Sequence, residues 1–166
     1  GEIWLLSKPY QGTCFMFRIP GIIVKNTWPG SDEKKPARIL IANLSEDKGP
    51  NISEYFRTKK IDVTEHSGNE KDLFMQLKNA PPPDMMFLYS NPDLHKISAV
   101  LFRLRSEFHP FPVIIVADRH NEDFKRSVFA SGATEYFLHP LTDDETDFLY
   151  RKYIYIRQGA RFSNKE

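Results

Sequence analysis

Residues 113–138 read VIIVADRHNEDFKRSVFASGATEYFL and decide the fold. Residues 113–117 form a continuous apolar run, which is typical of a strand buried on both faces. Residues 123–130 carry apolar side chains at helical spacing, and Gly132 suits the position just past a helix. Residues 135–138 form another β-prone segment. This strand–helix–strand unit predicts two parallel strands joined by a crossover helix.

The same alternation fills the chain from Arg38 to about Arg157. Further strands are predicted over residues 39–42, 61–64 and 85–89. Further helices are predicted over residues 51–59, 69–78, 95–107 and 142–157, the last with Phe148, Leu149, Tyr153 and Ile156 facing inward. The order is therefore (βα)5, which predicts an α/β fold with a doubly wound parallel sheet. In such sheets, sites lie beyond the carboxyl ends of the strands.

The composition of the chain excludes several classes of protein. The 166 residues are 40% hydrophobic and 27% charged, which suits a folded domain and excludes wholesale disorder. The formal net charge of +1 indicates no strong electrostatic attraction to nucleic acid or to anionic lipid. Cys14 is the only cysteine, so a disulfide-stapled fold is excluded. No apolar run approaches the roughly 20 residues that span a bilayer. We expect no nucleic acid partner, no membrane insertion of this segment and a cytoplasmic location.

The first 37 residues follow a different pattern. Residues 2–7 and 14–19 read as two strands around a turn that includes Gly12, which predicts a β-hairpin. The predicted domain organisation is a hairpin over residues 1–25, a linker over 26–37, the α/β domain over 38–157 and a polar tail over 158–166.

Four segments of the α/β part resemble the landmarks of response-regulator receiver domains. They are ILIANL (39–44), PDMMFLY (83–89), PVIIVA (112–117) and GATEYFLHPL (132–141). The last is the most specific, because receivers there read Gly-Ala-x-x-Tyr, two apolar residues, Lys-Pro and one more apolar residue. The resemblance implies a flavodoxin-like sheet with strand order 2-1-3-4-5. It also implies a cis peptide bond at His139-Pro140, where the family has Lys-Pro.

The resemblance further implies a phosphorylation site, and this sequence departs from that site at every position. The acidic pair that holds Mg²⁺ in receivers corresponds to Asn43 and Leu44. The phosphoacceptor aspartate corresponds to Tyr89, the Thr or Ser position to Ala117, and the lysine to His139. Mg²⁺ prefers hard oxygen ligands, and these positions retain no carboxylate. We therefore expect no catalytic residue, no metal and no cofactor in this segment, as in a pseudo-receiver.

Other residues offer weaker candidates for a site. Acidic side chains displaced from the expected positions could rebuild a metal or phosphate site, and they are Glu46, Asp47, Asp93 and Asp118. The histidines lack the spacing of a zinc site. Tyr136 aligns with the aromatic residue that changes rotamer in receivers, and without a phosphoryl group we expect it to be fixed packing.

The hairpin resembles the closing strands of a histidine-kinase ATPase domain. The matching segments are GEIWLLS (1–7), GTCF (12–15) and Ile19-Pro20. In an intact kinase, Gly12 and Thr13 would line the ATP pocket, so here they are a remnant of a cofactor site. The chain therefore resembles the C-terminal part of a hybrid histidine kinase, cut inside the ATPase domain.

Three functional hypotheses follow from the sequence. The first is a non-phosphorylatable receiver-like domain of a hybrid histidine kinase that regulates two-component signalling through protein contacts. The second is a module that binds a small ligand in the emptied acidic pocket. The third is a receiver with a displaced phosphoacceptor aspartate. Expected partners are the kinase core, another domain of the same protein, or a second copy through the hairpin. ATP binding and any membrane anchor would belong to the parent kinase.

Overall fold

The structure is a computed structural model that describes residues 2–8, 12–18, 36–44, 52–90, 94–108 and 110–155. Contacts along the backbone divide it into two units, Gly1–Lys35 with Asp147–Glu166, and Pro36–Thr146. None of the helices in these ranges is long and apolar enough to cross a membrane. The predicted domain boundaries stay predictions.

The larger unit is built on a five-stranded parallel sheet. Its strands are β3 (Arg38–Asn43), β4 (Asp62–Ser67), β5 (Met85–Ser90), β6 (Val113–Ala117) and β7 (Glu135–Leu138). They lie in the order β4-β3-β5-β6-β7. Counted within the sheet this is 2-1-3-4-5, so the predicted flavodoxin-like topology is confirmed. The two central strands β5 and β6 are buried along their whole length, as their apolar runs predict.

Five helices connect and follow these strands. They are α1 (Ile52–Thr58), α2 (Glu70–Asn79), α3 (Leu94–Glu107), α4 (Glu122–Ala130) and α5 (Asp143–Tyr150). The predicted helices are therefore present, with small shifts at their ends. The predicted cap of α1 at Asn51 lies outside the described residues.

Side-chain caps fix where several helices begin. The Asn69 side chain accepts a hydrogen bond from the Asp72 amide at 3.0 Å and caps α2. Asn121 caps α4 in the same way through the Phe124 amide. Ahead of α5, the Glu145 carboxylate accepts from the Thr142 amide at 2.8 Å, and the Thr142 hydroxyl accepts from the Glu145 amide at 3.3 Å. This reciprocal pair is the capping box that the sequence predicts.

A single hydrophobic cluster fills one face of the sheet. It joins alternate strand residues such as Leu88, Ile115 and Ala117 to the inner faces of α2, α3 and α4. On strand β5 the residues between these point to the other face, where Phe87 packs against Phe56 of α1 with ring centroids 5.6 Å apart. The sheet therefore has helices on both faces, which leaves its carboxyl edge as the place for a site.

The last helix departs from the prediction. It is α-helical only to Tyr150 and continues as a π-helical segment over Arg151–Tyr155. Phe148, Leu149 and Ile154 are buried, whereas Tyr153 is half-buried. Hydrogen bonds in a π-helical segment run from residue i to residue i+5, so the segment accommodates an extra residue and brings Ile154 towards the face of Leu149. Tyr153, expected to face inward, is only half-buried, and Ile156 lies outside the described residues.

The smaller unit contains the predicted hairpin. Strands β1 (Glu2–Lys8) and β2 (Gly12–Arg18) pair in antiparallel fashion, with Glu2 opposite Arg18 and Lys8 opposite Gly12. Gly12 and Thr13 therefore stand at the start of β2, opposite Lys8 and Ser7.

Candidate functional site

The carboxyl edge of the sheet brings the receiver-like positions together. Asn43 at the end of β3 lies opposite Tyr89 of β5 in the strand register. One step further along β5, Ser90 lies opposite Ala117 at the end of β6. The His139 amide, just past β7, donates a hydrogen bond to the Ala117 carbonyl at 2.9 Å. The residues named from the sequence therefore lie along one edge of the sheet.

The end of β3 presents one buried polar residue and one apolar residue. Asn43 is buried at the last position of the strand. The Leu44 amide donates to the Tyr89 carbonyl at 3.5 Å, and the Leu44 side chain packs against the hydrophobic cluster. At the two positions where receivers carry acids, this chain therefore offers one amide group and one hydrocarbon side chain.

Tyr89, which the resemblance assigns to the phosphoacceptor position, is buried. Its side chain is 5% exposed, and among the residues that the structure describes its hydroxyl group has no hydrogen-bond partner. Burial raises the pKa of the Tyr89 phenol well above its usual value of about 10. Buried hydroxyl groups normally find a partner, and leaving one unpaired costs about 1–3 kcal/mol. The ring therefore extends the apolar core to the edge of the sheet, and this burial removes the hydroxyl group from water.

Ala117 and His139 are the remaining two residues that the resemblance singles out. Ala117 is fully buried and carries no hydroxyl group. His139 is exposed, and its peptide bond to Pro140 is cis, as predicted. The turn after β7 therefore has the cis bond that the resemblance implies, with a histidine where the resemblance would place a lysine.

These residues do not fit the Mg²⁺ ion that receiver domains hold. Magnesium binds through hard oxygen ligands, usually one or two carboxylates. The described end of β3 supplies only the Asn43 amide oxygen, and no cluster of three His, Cys, Asp or Glu side chains that could hold a metal occurs in the described ranges. The displaced acids Glu46, Asp47 and Asp93 lie outside those ranges, and Asp118 is exposed.

Tyr136 on β7 is a second buried tyrosine near this edge, and its hydroxyl group is satisfied. It donates to the Arg119 carbonyl in the β6–α4 loop at 3.1 Å. The ring packs against Phe124 of α4 with centroids 6.1 Å apart. Tyr136 is therefore part of the packing between β7, the loop and α4, as expected.

Two polar arrangements had no signal in the sequence. The Arg105 guanidinium donates to the Phe111 carbonyl at 2.7 Å and to the Gly132 carbonyl through Nε at 2.8 Å and Nη2 at 2.5 Å. These bonds tie α3 to the segments that precede β6 and β7. On β4, buried His66 contacts Gln76 through Nδ1 at 2.9 Å and the Asn69 carbonyl through Nε2 at 3.3 Å. Both join different structural elements through specific side-chain contacts, so neither spacing nor periodicity reveals them.

Solved structures, rather than sequence comparisons, identify proteins with the same fold as this chain. No protein-family model matches the chain, and no curated protein matches it either. A response regulator from Thermotoga maritima matches with a TM-score of 0.58 and 16% identity, over 71% of this chain and 94% of that one. Chemotaxis protein CheY4 of Vibrio cholerae matches with 0.56 and 15%, over 72% and 100%. The receiver domain of the response regulator NarL from Mycobacterium tuberculosis matches with 0.54 and 16%, over 77% and 98%.

These structures have low sequence identity to the chain, but the match covers nearly their whole length. The five parallel strands in the order 2-1-3-4-5, with helices on both faces, are the architecture that they have in common. The α/β part of this chain therefore has the fold of a response-regulator receiver domain.

Proposed function

We propose that this chain is a receiver-like domain of a hybrid histidine kinase that acts in two-component signalling through protein contacts, without accepting a phosphoryl group. The receiver fold supports the signalling context. The hybrid-kinase context rests on the kinase-like motifs of residues 1–20.

The observation that carries this proposal is Tyr89. Phosphoryl transfer in receivers needs a carboxylate that forms an acyl phosphate, and a phenol forms no such bond. The Tyr89 hydroxyl group is also buried, and burial raises its pKa, so the nucleophilic phenolate is disfavoured at neutral pH. Tyr89 therefore cannot take the place of the aspartate by the same chemistry.

The neighbouring side chains support the same conclusion. Phosphoryl transfer depends on cations that neutralise the charge on the transferred oxygens. Leu44 offers nothing to hold a metal, Ala117 has no hydroxyl group for a phosphoryl oxygen, and His139 replaces the permanent charge of a lysine. Four independent losses at one edge favour a domain that signals by contact.

A second candidate function rests on one observation. The unpaired hydroxyl group of Tyr89 is a buried donor that a small ligand with an acceptor oxygen could satisfy. A cleft lined by Arg38, Thr64, Gln76, Leu77 and Pro81 lies at the opposite end of β3, so it is not this pocket. We therefore place the ligand-binding hypothesis second.

Thermal unfolding separates these functions. The native chain is melted alone, with Mg²⁺, and with Mg²⁺ plus beryllofluoride, a mimic of the acyl phosphate. We expect unchanged melting temperatures in all three. Stabilisation by Mg²⁺ or by beryllofluoride would contradict the proposal and favour a displaced acidic site.

A library of small metabolites, tested by the same melting assay on the native chain and on Tyr89→Phe, tests the second function. A shift that needs the Tyr89 hydroxyl group would favour ligand binding.

A further inference from the structure

The last helix changes its hydrogen-bonding pattern without a break in the chain. It is α-helical over Asp143–Tyr150 and π-helical over Arg151–Tyr155. Hydrogen bonds from residue i to residue i+5 replace those from i to i+4, so the turn holds one residue more. Single π-helical turns are rare and often occur at functional sites. The segment therefore presents its side chains at angles that differ from those of an uninterrupted α-helix.

The π-helical turn decides which apolar side chains are buried. Leu149 and Ile154 are 0% and 1% exposed, whereas Tyr153 is half-buried. In an uninterrupted α-helix, the residues on the face of Leu149 would be Tyr153 at i+4 and Ile156 at i+7. Ile154 would then lie about 140° from Leu149, on the outer face. The π-helical turn and the uninterrupted α-helix, called the π phase and the α phase below, therefore bury different residues of one sequence.

A pair of tyrosines also depends on the π phase. The rings of Tyr150 and Tyr155 lie with their centroids 6.1 Å apart. Their spacing is i,i+5, which a π-helical turn brings to one face and an α-helix sets about 140° apart. The Arg151–Asp147 ion pair has i,i+4 spacing, so either phase accommodates it. The tyrosine pair and buried Ile154 therefore stabilise the same phase.

The α phase has contacts of its own to offer. It would bury Tyr153 and Ile156 and restore the i to i+4 hydrogen bonds, while it would expose Ile154 and separate the two tyrosine rings. Each phase thus exchanges one set of apolar contacts for another of similar size. Two packings of one sequence that are balanced in this way form a bistable element.

We propose that residues 151–156 are a conformational switch that exchanges between the π phase and the α phase. Conversion to the α phase advances the chain after Tyr155 by one helical residue, which is a rotation of about 100° and a shift of about 1.5 Å. The switch therefore changes the face that the following residues present, while α5 itself stays folded. This inference does not depend on the signalling function proposed above.

A double-mutant cycle tests for the second phase. Ile154→Ser removes burial from the π phase, and Ile156→Ser removes burial from the α phase. Each single variant can adopt the phase that its substitution leaves intact, whereas the double variant has no such phase left. Urea denaturation should therefore show that the double variant loses about tenfold more of its folding equilibrium constant than the product of the two single losses. The matched control replaces Ile156→Ser by Gln158→Ser, at a position that an α-helix sets about 180° from Leu149. Its loss should multiply with that of Ile154→Ser, without excess.

The tyrosine pair reports the phase directly. Nuclear Overhauser contacts between the rings of Tyr150 and Tyr155 are expected in the native chain and in Ile156→Ser, because both favour the π phase. The same contacts should disappear in Ile154→Ser, which favours the α phase, although that variant remains folded.

The two measurements together decide the proposal. An excess loss for the Ile154–Ile156 pair alone, with ring contacts that disappear in Ile154→Ser, supports it. Losses that multiply in both cycles overturn it, because the segment then has a single phase. A folded Ile154→Ser variant that keeps the contact between the two rings also overturns it, and so does an equal excess in the Gln158 control.

Discussion

The turn after β7 and the ends of β3 and β5 fit the receiver resemblance to different degrees. After β7, the cis His139-Pro140 bond is the one that the resemblance implies, and the Thr142–Glu145 capping box orders the start of α5. At the ends of β3 and β5, Leu44 and Tyr89 stand where the resemblance would place acids. A sequence can therefore keep the backbone of this fold while it changes the side chains at the edge of the sheet.

The reason lies in what each region contributes to folding. The β7–α5 turn orders the chain through hydrogen bonds and packing, so its loss would cost stability. A cluster of carboxylates at the edge of the sheet lowers stability, because like charges held close together repel until a cation neutralises them. Replacing such a cluster by Leu44 and Tyr89 removes that repulsion and adds apolar contacts. In the function proposed above, only the phosphoryl chemistry is absent.

The largest effect is expected from rebuilding the site. The combined substitutions Leu44→Asp, Tyr89→Asp, Ala117→Thr and His139→Lys should lower stability by about 3–5 kcal/mol, since a buried aromatic ring is lost. Mg²⁺ should then restore about 2.7 kcal/mol at a concentration 100 times its dissociation constant. Chemical denaturation with and without Mg²⁺ measures both changes.

The matched control for the rebuilt site is the triple variant that keeps Tyr89. It has one carboxylate at most at the metal position, so Mg²⁺ should leave its stability unchanged. A folded quadruple variant that ignores Mg²⁺ would show that these residues do not occupy the receiver positions.

A smaller loss is expected at the turn between α4 and β7. Gly132 follows α4 with φ of 105°, and a Cβ atom there would lie 2.8 Å from Cγ of Arg105. Gly132→Ala should therefore destabilise the domain by about 2 kcal/mol, through backbone strain and displacement of Arg105. Ser131→Ala, one residue earlier in ordinary helical geometry, is the control and should cost less than about 1 kcal/mol. Equal losses would mean that the turn is not under strain.

The two buried tyrosines should respond to the same substitution with opposite signs. Tyr136→Phe removes a hydrogen bond to the Arg119 carbonyl and should cost about 1 kcal/mol. Tyr89→Phe removes an unpaired hydroxyl group and should stabilise the domain by about 1 kcal/mol. Urea denaturation of the two variants side by side measures the difference. A destabilising Tyr89→Phe would indicate a partner for that hydroxyl group.

Alkaline pH should reveal the buried phenol. Burial raises the pKa of Tyr89 above its value in the unfolded chain, so above pH 10 the unfolded state releases a proton that the folded state retains. This contribution to stability is complete below pH 10 and declines as pH rises further. Tyr89→Phe should flatten the decline by up to about 1.4 kcal/mol per pH unit. Identical pH profiles of the two proteins would place Tyr89 in contact with water.

The sequence predicted the backbone better than the side-chain contacts. Apolar runs such as 113–117 and capping residues such as Thr142 act locally, so the strands, the helices and the strand order were confirmed. The residues from Asn43 to His139 lie along one edge, because parallel strands bring their carboxyl ends together; their assignment to receiver positions stays a prediction. The unpaired hydroxyl group of Tyr89 and the Arg105 contacts depend on packing between distant segments. The π-helical segment at Arg151–Tyr155 likewise had no local signal.

The central claim is that the native chain accepts no phosphoryl group, and intact mass spectrometry tests it most directly. The chain is incubated with Mg²⁺ and a small phosphodonor such as acetyl phosphate, with the quadruple variant in parallel. The account predicts no phosphoryl adduct on the native chain and an acid-stable, base-labile acyl phosphate on the variant. An adduct on the native chain, mapped to Asp84, Asp93 or Asp118, would contradict it.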